Sequence, residues 1–218
     1  MTRVKICGIT NSEDARAAVD YGADALGFVL IPESPRCIDI FAAQDIARSL
    51  PPFAQTVLLL ESCVDKPVEI LMAANYRIAG FGAVQFYAGD CVRWLPGMAA
   101  CIRAFRIRDE SSLEEISAYL GGKDENPPPD AILLDAYHKD KLGGSGETFN
   151  WNLAAEAKKR FDIPIILAGG LTPENVAEAI AKVQPHAVDV SSGVEAEPGR
   201  KDHAKLKAFI RAVRRADL

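Results

Sequence analysis

Eight short apolar runs recur along this chain, and most are separated by stretches of helical period. The pattern predicts strands at Val4–Cys7, Ala25–Leu30, Thr56–Leu60, Ala83–Phe86, Cys101–Ile107, Ala131–Asp135, Ile163–Ala168 and Ala187–Val190. A continuous apolar run marks a strand covered on both faces, and strand–helix alternation marks a parallel sheet. Helices are predicted at Ser12–Tyr21, Phe41–Leu50, Pro67–Ala79, Ser112–Leu120, Trp151–Arg160, Pro173–Lys182 and His203–Val213. Asn11 or Ser12 supplies the first cap and Gly22 the first stop; Pro67 and Pro173 sit where a first turn tolerates proline. Eight units in 218 residues average ~27 residues each, which suits a minimal barrel; a doubly wound open sheet has about five or six strands. The expectation is an α/β fold, a single (β/α)8 TIM barrel over residues 1–218. Its fourth helix is irregular or shortened, because Gly89–Gly97 is short and holds Pro96.

The remaining totals act mainly by exclusion. A net charge of -5 provides no basic footprint for nucleic acid. No run approaches the ~18 apolar residues of a membrane span, and MTRVKICGIT lacks the apolar core of a secretory signal. A cytoplasmic protein is expected, as a monomer or homodimer. The five cysteines are odd in number and form no Cys-x-x-Cys pair, which argues against a disulfide framework and a zinc knuckle and for reduced thiols. The histidines, His138, His186 and His203, fall in loops or at a helix start rather than at strand ends, so no metal site is expected.

Alternate strand residues of a barrel point inward, where an unpaired charge is costly. Polar residues within the apolar runs are therefore informative. They are Lys5 and Cys7 on one face of the first strand, Gln85 in the fourth, Arg103 in the fifth on the face of Phe105, Asp135 ending the sixth, and Asp189 in the eighth. Any one of them could belong to a satisfied buried network; their convergence on one interior favours a site.

Two loops suit a phosphate. Strand seven runs into Gly169-Gly170-Leu171-Thr172-Pro173, and strand eight into Ser191-Ser192-Gly193. Glycines let backbone N–H groups approach an anion, and barrels commonly bind phosphate after these two strands. The glycines of Gly143-Gly144-Ser145-Gly146 suit either a cover over a ligand or a plain connection. Arg36, in Ser34-Pro35-Arg36, can pair with a carboxylate, although a lone arginine is more often solvated.

Together these strings resemble the phosphoribosylanthranilate isomerase family. KICGIT from Lys5, Ser34-Pro35-Arg36, Leu134-Asp135, GGSGETFNW from Gly143, LAGGL from Leu167 and DVSSGVE from Asp189 occur in order over nearly the whole chain. The resemblance implies an Amadori rearrangement in tryptophan biosynthesis, from N-(5′-phosphoribosyl)anthranilate to 1-(2-carboxyphenylamino)-1-deoxyribulose 5-phosphate, with no cofactor and no metal. It implies Cys7 as general base, Asp135 as general acid, Arg36 as the holder of the anthranilate carboxylate, and the loops at Gly169, Gly170, Ser191, Ser192 and Gly193 as the phosphate cradle. Lys5 is a candidate for stabilising a Cys7 thiolate. Burial would raise the Asp135 pKa, and Lys5 or Arg103 nearby would lower it.

One string departs from the family. Its usual QLHG-like run after strand four reads Gln85-Phe86-Tyr87-Ala88 here, with Tyr87 at the histidine position. Three rival readings remain. The histidine-pathway isomerase runs the same chemistry but carries aspartate where Cys7 stands, sugar-phosphate epimerases need metal-ligating histidines, and a barrel that binds without turnover has only the altered fourth-strand loop in its favour.

Overall fold

A computed structural model describes residues 1–62, 81–88, 100–122, 128–136 and 150–218. Its eight strands are β1 (Arg3–Cys7), β2 (Ala25–Val29), β3 (Gln55–Ser62), β4 (Ala83–Ala88), β5 (Ala100–Ile107), β6 (Ala131–Ala136), β7 (Ile165–Leu167) and β8 (Ala187–Val190). They close in sequence order into a barrel, every neighbour parallel, with β1 bonded to both β2 and β8. The expected barrel is therefore present. The helices expected at Pro67–Ala79 and around Gly89–Gly97, and the Gly143–Gly146 loop, lie outside the described residues.

The described helices are α1 (Ser12–Tyr21), α2 (Ile40–Ser49), α3 (Ser111–Leu120), α4 (Trp151–Arg160), α5 (Val176–Val183) and α6 (His203–Ala216). Side-chain caps set several of their starts. The Asn11 side chain accepts from the Asp14 N–H, Asp39 from Phe41 and Ala42, and Asp202 from Ala204 and Lys205. Such caps satisfy amide donors that the first turn leaves unpaired. Helix α5 corrects the expectation at Pro173, because it begins three residues later. Asn175 instead folds the preceding loop on itself, accepting from the Thr172 N–H at 2.8 Å and donating to the Gly170 carbonyl at 2.9 Å.

Strand alternation divides the apolar residues into two layers. Val57, Leu59, Ile102, Ala104, Leu133 and Ile166 fill the barrel with Cys7. Ile6, Phe28, Leu58, Phe105, Leu134 and Val188 pack outward against the helices. Two short strands follow β8, β9 (Glu195–Glu197) and β10 (Arg200–Lys201), paired antiparallel. They return Glu195 and Lys201 beneath the barrel mouth. Cys7 and Cys37 are free thiols, whereas Cys101 is disulfide-bonded. That corrects the expectation of reduced thiols throughout, since a single bridge requires neither an even count nor a Cys-x-x-Cys spacing. Among the described residues no helix is long and apolar enough to cross a membrane, and no cluster could hold a metal ion.

Candidate active site

One pocket opens at the C-terminal ends of the strands. Cys7 ends β1 on one side and Asp135 stands near the end of β6 on the other; Tyr87, Arg36, Asp189 and the loops after β7 and β8 complete the lining. In a parallel barrel this end collects the strand–helix loops, so side chains from distant parts of the chain meet there.

Buried charge organises the floor. Lys5 Nζ stands 3.0 Å from Asp189 Oδ1, both nearly sealed from solvent. The approach is an ion contact without hydrogen-bond geometry, and Nζ has no hydrogen-bond acceptor among the described residues. Burial alone would lower the Lys5 pKa, but the influences that raise it, led by the charge of Asp189, win, so the ammonium persists. For Cys7 burial is the largest influence and pushes the thiol up. Lys5 and Lys201 pull the other way and Asp189 adds to the rise, so the net shift is upward. Lys5 thus acts in the expected direction without producing a resting thiolate.

Asp135 answers the question that burial and charge left open. Burial raises its pKa from the ordinary carboxylate range to about 6, with the charge of Asp189 adding; a hydrogen bond from Tyr87 and the charge of Arg106 lower it only in part. A carboxyl with that pKa exchanges its proton near neutrality, which suits a general acid.

The two loops meet tightly. At Gly169 φ is +83°, and a Cβ would sit 2.3 Å from the Ala136 nitrogen; at Gly193 a Cβ would sit 1.9 Å from the Leu171 carbonyl oxygen. Neither position admits a side chain without backbone movement. Among the described residues, the N–H groups of Gly169, Gly170, Ser192 and Gly193 donate to no protein acceptor, and the Ser191 hydroxyl is buried and unpaired. Convergent free donors of this kind form an anion cradle.

A buried ion network supports the same mouth. Arg36 gives Nε and Nη2 to Glu195, at 2.9 Å to Oε1 and 2.6 Å to Oε2. Lys201, whose side chain is fully buried, donates to Glu195 Oε1 at 2.8 Å and to the Cys7 carbonyl at 2.6 Å. Glu195 is desolvated, which alone would raise its pKa, yet Arg36 and Lys201 together hold it below the usual range.

The sequence model of the N-(5'phosphoribosyl)anthranilate (PRA) isomerase family matches residues 4–212. The chain is 47% identical to the N-(5'-phosphoribosyl)anthranilate isomerase of Pelobacter propionicus, over 97% of this chain and 95% of that one. The Geobacter metallireducens protein of the same name is 48% identical, over 97% and 98%. The crystal structure of the phosphoribosyl anthranilate isomerase from Thermotoga maritima superposes with a TM-score of 0.83 at 41% identity, covering 98% of this chain and 99% of that one. The chain belongs to the phosphoribosylanthranilate isomerase family.

Within that family fold, Cys7, Asp135, Arg36, Asp189 and the two glycine–serine loops meet in one pocket, with Lys5 directly beneath. Gln85 is buried inside the barrel without lining it, and both its amide atoms lack partners among the described residues. Arg103 does not belong to the site. It lies on the outer face, its guanidinium over the rings of Phe86, Phe105 and Tyr119 and its Nη1 donating to the Tyr87 and Ala104 carbonyls. Its aliphatic stem and planar head let it cover aromatic surface there. Among the described residues, the cation that acts on Asp135 is Arg106, its register partner on β5. Glu195, Lys201 and Asn175 escaped the sequence reading because their partners lie far away or on backbone. Only the acidic end of DVSSGVE hinted at Glu195.

Proposed function

We infer that this chain catalyses the Amadori rearrangement of N-(5′-phosphoribosyl)anthranilate to 1-(2-carboxyphenylamino)-1-deoxyribulose 5-phosphate, a step of tryptophan biosynthesis. The observation that carries the reading is the meeting of Cys7, Asp135 and the two anion-binding loops in a single pocket. The crystal structure of a phosphoribosyl anthranilate isomerase in complex with reduced 1-(O-carboxyphenylamino)-1-deoxyribulose 5-phosphate superposes with a TM-score of 0.79 at 39% identity, covering 98% of this chain and 99% of that one.

Asp135 protonates the furanose ring oxygen. The anilino nitrogen pair expels that oxygen from C1′, opening the ring to an iminium. Cys7 then removes the proton at C2′, and the electron pair of that bond neutralises the iminium as an enolamine, which tautomerises to the ketone. Burial keeps the Cys7 thiol protonated at rest. The iminium cation forming beside it lowers its pKa at the moment a base is needed. The loops at Gly169–Gly170 and Ser191–Gly193 hold the 5′-phosphate through backbone N–H groups. Arg36 holds the anthranilate carboxylate with Nη1, the nitrogen that Glu195 does not use. The aspartate-based histidine-pathway alternative is disfavoured by Cys7 itself.

The test follows the loss of anthranilate-type fluorescence with substrate generated in situ, for the unaltered protein, Cys7→Ser and Asp135→Asn. Rapid loss abolished in both variants supports the reading; unimpaired turnover in either variant removes that residue from its role. If the unaltered protein binds substrate without turnover, the barrel is a binding protein.

A further inference from the structure

Tyr87 occupies the place where the family's usual string has histidine, and the fold gives it a specific contact. Its side chain lines the pocket beside Cys7 and Asp135. Its hydroxyl donates to Asp135 Oδ2 at 3.1 Å, reaching across the mouth from β4 to β6. From the intervening strand, Arg106 lays its guanidinium 5.0 Å from the centre of the Tyr87 ring, while its backbone is in register with Asp135. The phenol is thus held on one face by a cation and at its tip by the carboxylate.

We propose that Tyr87 is a positioning residue for the acid, orienting the Asp135 carboxyl and setting its proton affinity through the hydroxyl contact. The inference rests on Asp135 being the acid. Among the described residues, the groups that act on Asp135 are Tyr87 on β4, Arg106 on β5, Asp189 on β8 and the backbone N–H of Ala136. Tyr87 is the one uncharged side-chain donor among them. Burial and the adjacent carboxylate raise the phenol's own pKa well above its usual value, so it remains a donor throughout the working range. When Asp135 gives its proton to the ring oxygen, the hydroxyl stabilises the carboxylate left behind. The contact therefore makes Asp135 a stronger acid than its burial alone would allow, and it selects one rotamer for the transfer.

The test compares pH profiles of kcat/KM for the unaltered protein, Tyr87→Phe, Tyr87→His and Asp135→Asn. Substrate ionisation is common to all and cancels in the comparison. Loss of one neutral hydrogen bond predicts a kcat about three- to tenfold lower in Tyr87→Phe, with KM changed less than about twofold. The alkaline limb should move up by about half to one pH unit, because the carboxylate loses a donor. Tyr87→His restores a donor and should recover most of both effects. An unmoved limb in Tyr87→Phe, or a loss of rate that histidine does not recover, overturns the proposal. If Asp135→Asn retains full turnover, the assignment of the acid fails instead, and the two failures are distinguishable.

Discussion

Glu195 clamps Arg36 through two parallel contacts, Nε to Oε1 at 2.9 Å and Nη2 to Oε2 at 2.6 Å, and takes Lys201 on the same Oε1 at 2.8 Å. One carboxylate therefore compensates two buried cations. Replacing it by glutamine leaves both short of a counter-charge. Breaking a buried pair in this way costs about 3–5 kcal/mol. Glu195→Gln should lower the urea midpoint accordingly, and KM should rise because Arg36 loses the clamp that aims Nη1. The pH dependence follows from the sign of the shift. The Glu195 pKa is lowered in the folded state, so its stabilisation is present above the ordinary glutamate range and is lost as pH falls through the folded value. Equal urea midpoints for Glu195→Gln and the unaltered protein would count against this account.

This clamp also marks where sequence reasoning ran out. The strands were legible because each is a short, mostly apolar run, and Cys7, Asp135 and the two glycine–serine loops stood out by their positions at strand ends, while their roles came from the family resemblance. Arg36 and Glu195 are 159 residues apart, and no local pattern links them. Arg103 was misassigned for a different reason. It shares a face with Phe105, as alternation required, but that face is the outer one; Ile102 and Ala104 point inward. Periodicity pairs residues on a face without saying which face is inside when both are buried. Tyr87 was visible only as a departure from a string, and its bond to Asp135 required the barrel to be closed.

Lys5 stands under Cys7 and beside Asp189, with its charge favoured despite burial. Lys5→Met removes an influence that lowers the thiol pKa and leaves the raising effect of Asp189 unopposed by this lysine. The pH dependence of Cys7 alkylation should move to higher pH than in the unaltered protein, read against a Cys7→Ser background that subtracts every other thiol of the chain, Cys37 included. An unchanged profile would show that Lys5 does not act on the thiol.

Gly193 has no room for a side chain, since a Cβ would lie 1.9 Å from the Leu171 carbonyl oxygen. Gly193→Ala must therefore separate the loops after β7 and β8, and the N–H groups on either side no longer converge. KM should rise at least about tenfold, equivalent to about 1.4 kcal/mol of lost binding. Competitive inhibition by inorganic phosphate should weaken in parallel. If phosphate inhibition is unchanged while KM rises, the loops do not form the cradle.

Asp135 links catalysis to stability with opposite signs. Its carboxyl titrates at about 6 in the folded protein against 3.8 for an ordinary aspartate. The folded state therefore binds the proton more tightly than the unfolded state. The group's contribution to stability is most favourable below the ordinary value and is lost as pH rises to the folded value. Above that window the full cost of a buried carboxylate remains, about 3 kcal/mol at most for a shift of this size. Asp135→Asn keeps the shape and can still accept from Tyr87, but it carries no charge. It should unfold at higher temperature than the unaltered protein at about pH 8, and the gap should close by about pH 4, while turnover is lost at every pH. Thermal melts at the two pH values decide the matter. A variant that is less stable than the unaltered protein at about pH 8 would mean that Tyr87 and Arg106 already compensate the charge, and that the acid is not held in a strained state.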